Sequence, residues 1–194
     1  MKIGITELLK SERREFSDRE LLHCLEDALN IYPLTEVYKE VRVLKPYPSE
    51  ITDLEPPEEK HITDWIAHLL VASKMFTLEQ GKTIRKMYGV DQLIVALGKD
   101  HRLEYHGYAW PEGHGRGRIF LANPTSPAVV AHEIGHLWGL DNEYEEGNTE
   151  KGIMNLESLK SGASSTFSLG NQTAILDSHN KYTGLGGMMR RLHK

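Results

Sequence analysis

Two histidines one helical turn apart, with a glutamate beside the first, sit in the run His132-Glu133-Ile134-Gly135-His136-Leu137-Trp138-Gly139. Residues four apart on an α-helix lie above one another, so His132 and His136 can each aim a ring nitrogen at one metal ion about 2 Å away. Glu133 then projects beside the ion. There it can accept a proton from a water whose pKa zinc lowers to about 7, and pass it to a leaving amine. This is zinc-hydrolase chemistry, and it needs a helix to carry it. Pro124, Ser126 and Pro127 supply a start signal just upstream, and Ala128-Val129-Val130-Ala131 make an apolar first turn that reads as buried. Gly139 is the stop, since glycine takes the left-handed conformation that other residues resist. The plain alternative is a solvated helix with a polar surface, but ligands that follow a buried turn are not a surface face.

Downstream, Gly152-Ile153-Met154-Asn155 places a methionine in a short turn. HExxHxxG followed by such a methionine resembles the metzincin clan of zinc peptidases. Within the clan, HEIGHLWGL is most similar to the archaemetzincin-like and other small metzincins, and the likeness covers about residues 90–180. The resemblance implies His132 and His136 as zinc ligands, Glu133 as general base, Gly139 as the turn glycine and Met154 as the Met-turn residue. It implies one Zn2+ per chain, a peptide or protein substrate, and an α/β (α+β) fold. That fold has a mixed twisted sheet, the HExxH helix, the Met-turn and a C-terminal helix. Met154 as simple core filler is the alternative.

The clan's third ligand falls three residues after the glycine, at Asn142, and asparagine is a poor ligand for zinc. Some small metzincins use aspartate there, and a turn shortened by one residue would bring Asp141 to the metal. An Asn142 oxygen, a weakened site, or a domain that has lost activity are the other outcomes. Archaemetzincins also carry a cysteine-rich second zinc site after the third ligand. The single cysteine here, Cys24, lies far upstream, so no such site is expected.

The 194 residues, 39% hydrophobic and 26% charged, suit an ordinary globular chain able to bury a sizeable core. A net charge of −5 argues against nucleic acid as the main partner, because phosphate binding wants clustered Lys and Arg. The tail Met189-Arg190-Arg191-Leu192-His193-Lys194 reads as a solvated end. Met1 to Lys10 lacks the apolar core of a signal peptide, and no run is long enough to span a bilayer, so a cytoplasmic, membrane-free protein is expected. Cys24, among Leu21, Leu22, Leu25 and Ala28 at helical spacing, reads as a buried, inert thiol.

Other elements position the motif. Ser17 and Glu20 make a capping box for a helix running to about Asn30. Thr35 to Leu44 alternates as a strand, and Pro46, Pro48, Pro56 and Pro57 break the next stretch into a loop. That loop suggests a division into an N-terminal helix-strand subdomain, 1–55, and a catalytic domain, 56–194, although one domain would look the same. His61 to Phe76 predicts an amphipathic helix in which His68 is an ordinary surface or satisfied histidine, and Leu78 to Met87 a shorter helix. Leu93-Ile94-Val95-Ala96-Leu97 is a continuous apolar run, as in a strand buried on both faces. Glu104 to Trp110 and Arg118 to Ala122 read as strands around a glycine-rich connection, flexible or a hairpin turn, that carries His114. In metzincins an antiparallel edge strand pairs with extended substrate, and by resemblance Gly107 to Trp110 or Arg118 to Leu121 fills that place. His106 and His114 read as loop histidines, and a helix through Ile175 and Leu176 follows the methionine turn.

Three readings follow. The first is a zinc-dependent peptidase with Glu133 as base. The second is a metzincin-fold peptide-binding module, weak or inactive, which Asn142 favours. The third is a peptidase of another zincin type with Glu143, Glu145 or Glu146 as ligand, although these follow His136 too closely to lie on a second helix.

Overall fold

The computed structural model describes residues 1–9, 14–48, 80–98, 107–143, 152–162 and 164–183. Its first strand, β1 (Lys2–Leu9), takes an inner place in a mixed sheet. The order is β2 (Glu40–Val43), β1, β4 (Gln92–Ala96), β6 (Arg116–Leu121), β5 (Gly107–Gly113). A two-residue strand, β3 (Tyr47–Pro48), pairs with the end of β1. β2, β1, β4 and β6 run parallel, and β5 returns antiparallel along β6 to form an edge. Segment 1–48 therefore shares one sheet with segment 92–121.

Two hydrophobic clusters lie on the sheet, and the alternation of β4 divides between them. Ile94 and Ala96 join Ile3, Ile5, Ile119 and Leu121 in the larger cluster, while Leu93 and Val95 join Leu8, Phe120 and Ile84 in the smaller. Every residue of β4 is thus buried, which is why its sequence is apolar without interruption. The larger cluster is covered by α1 (Asp18–Asn30) and α3 (Pro127–Leu137), the smaller by α2 (Gly81–Tyr88). Two further helices, α4 (Leu156–Lys160) and α5 (Leu169–Thr183), follow.

The capping box is formed as the sequence indicates. Ser17 Oγ accepts the Glu20 N–H, Glu20 reaches back to the Ser17 N–H, and α1 ends at Asn30. Elsewhere the boundaries move. Thr35–Val37 is a 3-10 turn, closed by Val37 N–H donating to Leu34, so the strand expected from Thr35 is confined to Glu40–Val43. The loop expected at Pro46 and Pro48 contains β3, where a proline is tolerated because the strand is short and lies at an edge. The glycine stretch is a tight hairpin rather than a flexible connection. His114 at φ +60° and Gly115 at φ +71° form its two-residue tip, the double left-handed geometry of a type I′ turn. Glu112 anchors that hairpin, with Oε2 accepting from Arg85 at 2.6 Å and Oε1 lying 3.0 Å from Arg118 Nε. The helix expected over 61–76, His68, His106, Glu145, Glu146 and the basic tail lie outside the described residues. Among the described residues no helix is long and apolar enough to cross a membrane.

Leu25 is fully buried beneath α3, whereas Ser17 contributes only a cap. Leu25→Ala should lose about 2–5 kcal/mol of stability, and Ser17→Ala about 1 kcal/mol. Urea titration monitored by circular dichroism checks both.

Candidate metal centre

Helix α3 begins with Pro127 at its first turn and is buried along nearly its whole length. It ends in a glycine reversal. Gly139 takes φ +87°, its N–H donates to the His136 carbonyl at 3.0 Å, and the Leu140 N–H donates to Gly135 at 3.2 Å. This is the Schellman pairing that closes a helix with a left-handed residue. The reversal carries the Leu140 carbonyl back to the helix, where it accepts from His136 Nδ1 at 2.7 Å. His132 Nδ1 donates in the same way to the Ile153 carbonyl at 2.8 Å.

A carbonyl has no proton to give, so both rings carry hydrogen on Nδ1 and, when neutral, leave Nε2 bare. The two Nε2 atoms face each other at 3.1 Å. Two nitrogens bound to one tetrahedral zinc at about 2.0–2.1 Å stand about 3.3–3.4 Å apart, so the pair fits that ion in both donor type and separation. Burial holds His132 low, at about 4, with the neighbouring His136 adding to the effect. Its ring is therefore neutral at pH 7, as a ligand must be.

Glu133 lies beside the pair with 6% of its surface exposed, and burial pushes its carboxyl up to about 8. The start of edge strand β5 closes over it. A Cβ on Gly107 would stand 2.5 Å from Glu133 Oε1 and 2.7 Å from both Cδ and Cγ, so any larger residue there would have to displace the Glu133 carboxyl. Tyr32 OH donates to the Ala131 carbonyl of the same helix. Burial, then Tyr38 and Glu133, hold the Tyr32 hydroxyl well above its usual range, so it stays a donor.

Met154 is fully buried in the turn that supplies the Ile153 carbonyl. A Cβ on Gly135 would meet Met154 Sδ at 2.8 Å, so the small residue between the two histidines admits the methionine against the helix. The same turn is held by Ile153 N–H donating to Thr166 at 2.9 Å and Asn155 N–H to Gly152 at 3.0 Å.

Beyond the pair, the expected ligands part company. Asp141 is exposed, and among the described residues no three of His, Cys, Asp and Glu form a metal-holding group. Asn142 Oδ1 is buried and has no hydrogen-bond partner among the described residues. Glu143 is engaged elsewhere, its Oε1 accepting from Ser168 and Asn171. His114 is exposed at the tip of the hairpin. The sequence reading missed Tyr32, Gly107 and the Glu143 contacts. Their only signal is a tyrosine, a glycine or a carboxylate far along the chain from its partner.

No family model matches this chain, and no curated protein matches it either.

The unpaired Asn142 oxygen and the exposed Asp141 carry opposite expectations for metal binding. Asn142→Ala should weaken zinc binding by about tenfold or more, Asp141→Ala should leave it unchanged, and Asn142→His should tighten it, because imidazole is a better zinc donor than an amide oxygen. Zinc titration against a chromophoric chelator ranks the three.

Proposed function

We propose that the chain is a zinc-dependent metallopeptidase of metzincin type, with one Zn2+ held by His132 and His136, assisted by Asn142, and with Glu133 as general base. The observation that carries this reading is the facing pair of Nε2 atoms at 3.1 Å, each ring fixed from behind by a backbone carbonyl. Met154 packed under the helix at Gly135 and an antiparallel edge strand beside Glu133 support the metzincin comparison. The finer fold description, a twisted sheet with active-site helix, Met-turn and supporting helix α5, belongs to the same proposal. A reducing compartment such as the cytoplasm suits the lone thiol of Cys24, which burial pushes up to about 12.

Zinc at this site would supply an acidified water and polarise the scissile carbonyl. The residues of the chain do the rest. His132 and His136 each keep their Nδ1 on a backbone carbonyl and turn Nε2 toward the site, where both would hold the ion. Burial pushes the Glu133 carboxyl up to about 8, and a cation held by the two histidines would oppose that upward shift. A carboxylate so placed takes the proton that the attacking water gives up and returns it to the leaving amine. Of the two candidate edges, β5 is the one with a free side among the described residues, because β6 lies between β4 and β5. An extended peptide laid along β5 would bring its backbone past Gly107 and so past Glu133.

A second reading has its own support. The neutral Asn142 amide and the lack of a third His, Cys, Asp or Glu among the described residues favour a metzincin-fold peptide binder with weak or no activity.

Elemental analysis of the purified protein should find about one zinc per chain, and His132→Ala or His136→Ala should largely remove it. Unchanged metal content in both variants defeats the metal-centre reading. Glu133→Gln should keep the metal and lower cleavage of a peptide library by about 10²–10⁴-fold. Cleavage missing from the wild type across diverse peptides, with zinc bound, selects the binding module instead.

Gly107→Ala should displace the Glu133 carboxyl without touching a histidine. The expected result is a fall in kcat of about 10²-fold with metal content unchanged, as misplacement by about an ångström produces. Single-turnover kinetics on the zinc-loaded variant measures it.

A further inference from the structure

Glu143 sits one residue beyond Asn142 and is bonded at both ends of its structure, backbone and side chain. Its N–H donates to the Met154 carbonyl at 3.0 Å, and its own carbonyl accepts from Asn155 Nδ2 at 3.0 Å. Its Oε1 accepts from Ser168 Oγ at 3.1 Å and Asn171 Nδ2 at 2.7 Å, while Oε2 is buried without a partner among the described residues. These partners are structural anchors in their own right. Ser168 Oγ accepts the Asn171 N–H at 3.2 Å and so caps the first turn of α5, and Asn155 Oδ1 accepts the Ser158 N–H at 2.9 Å and caps α4.

Two parts of the metal centre meet at this residue. On one side, the chain from Gly139 to Asn142 supplies the Leu140 carbonyl behind His136 and the unpaired Asn142 oxygen. On the other, the turn around Met154 supplies the Ile153 carbonyl behind His132. Among the described residues the hydrogen bonds between these two segments run through Glu143: its N–H to the Met154 carbonyl, its carbonyl from the Asn155 side-chain amide, and a carboxylate clamp to the start of α5. Ile153 is itself tied to the segment before α5 through Thr166.

We propose that Glu143 is a positioning residue for the metal centre. Its carboxylate, gripped by Ser168 and Asn171, fixes the spacing between the Asn142 donor and the turn that orients His132. The idea rests on the zinc-peptidase reading. The second shell of a metal site sets the direction of its ligands, and loss of such a partner typically costs about 10–100-fold in affinity. The carboxylate acts here as an acceptor, so glutamine, which keeps a carbonyl oxygen in the same place, should replace it.

Cobalt(II) titration of the full chain tests this, since the visible absorption of bound Co2+ reports the geometry around the ion and needs no substrate. Wild type should bind Co2+ with a defined spectrum. Glu143→Ala should bind about 10–100-fold more weakly with an altered spectrum, Glu143→Gln should restore both, and the double variant Ser168→Ala/Asn171→Ala should reproduce the Glu143→Ala defect. Should Glu143→Ala fail to fold, as judged by circular dichroism, the double variant decides, because it leaves Glu143 in place. Wild-type affinity and spectrum in Glu143→Ala, or in the double variant, overturn the positioning proposal alone. Glu143→Gln as damaged as Glu143→Ala, with the double variant silent, would make Glu143 a direct ligand and also overturn it. Failure of the wild type to bind Co2+ or Zn2+ brings down the underlying reading instead.

Discussion

Two backbone carbonyls govern this site. Leu140 and Ile153 accept from the Nδ1 atoms of His136 and His132, and an acceptor on one nitrogen of a neutral ring leaves the other bare. Everything that shapes the centre can be traced to the delivery of those two oxygens. The Leu140 oxygen arrives because Gly139 reverses the chain at the end of α3, and the Ile153 oxygen because the turn around Met154 tucks beneath the same helix. One carbonyl lies four residues from its histidine, the other twenty-one, so a local reversal and a long-range packing event must agree to within a few tenths of an ångström.

That agreement is maintained by burial. His132 and Glu133 are both buried, and the larger hydrophobic cluster holds Tyr32, Phe167 and Trp138 together with the apolar residues of the same helix. Polar groups in such a setting are held by hydrogen bonds or they cost heavily, and their geometry is correspondingly stiff. The Trp138 indole N–H donates to Tyr38 OH at 3.0 Å, and Tyr32 packs edge-on against both Tyr38 and Phe167. The helix is thereby fixed along its back as well as at its end. The same burial moves His132 and Glu133 in opposite directions, the imidazole down and the carboxyl up, because each is pushed toward its neutral form.

Short-range features of the sequence carried most of the site. HExxH, its proline start and its glycine stop are all local, and the capping box before α1 is too; each was legible because the partners lie within four residues of one another. The uninterrupted apolar run of β4 was legible for a related reason, since burial on both faces leaves no polar alternation. β1 was not read as a strand: Thr6 and Glu7 interrupt its apolar pattern, yet both are buried and bonded, Thr6 Oγ1 to Lys45 and Glu7 to the Glu15 N–H. The contacts of Gly107 with Glu133 and of Glu143 with α5 depend on how distant segments pack, and no spacing rule records that. That Asp141 is exposed while the Asn142 Oδ1 is buried is likewise a matter of how the chain packs after Gly139, which residue type does not record.

The side of β5 that is free among the described residues has a built-in stop. Gly117 N–H points to β4, donating to Asp91, so its partner Pro111 stands at a place where β5 and β6 share no hydrogen bonds and turns its backbone outward. By the same alternation Gly107 and Ala109 face outward, each offering one donor and one acceptor, while Pro111 offers an acceptor only. A strand arriving at this edge finds a ladder whose rungs end at Pro111, before the hairpin tip. The proline therefore limits how far a neighbouring copy of the chain could zip along the sheet, and protects an otherwise open edge from self-association. It also restricts any guest strand to the stretch that passes the carboxyl of Glu133.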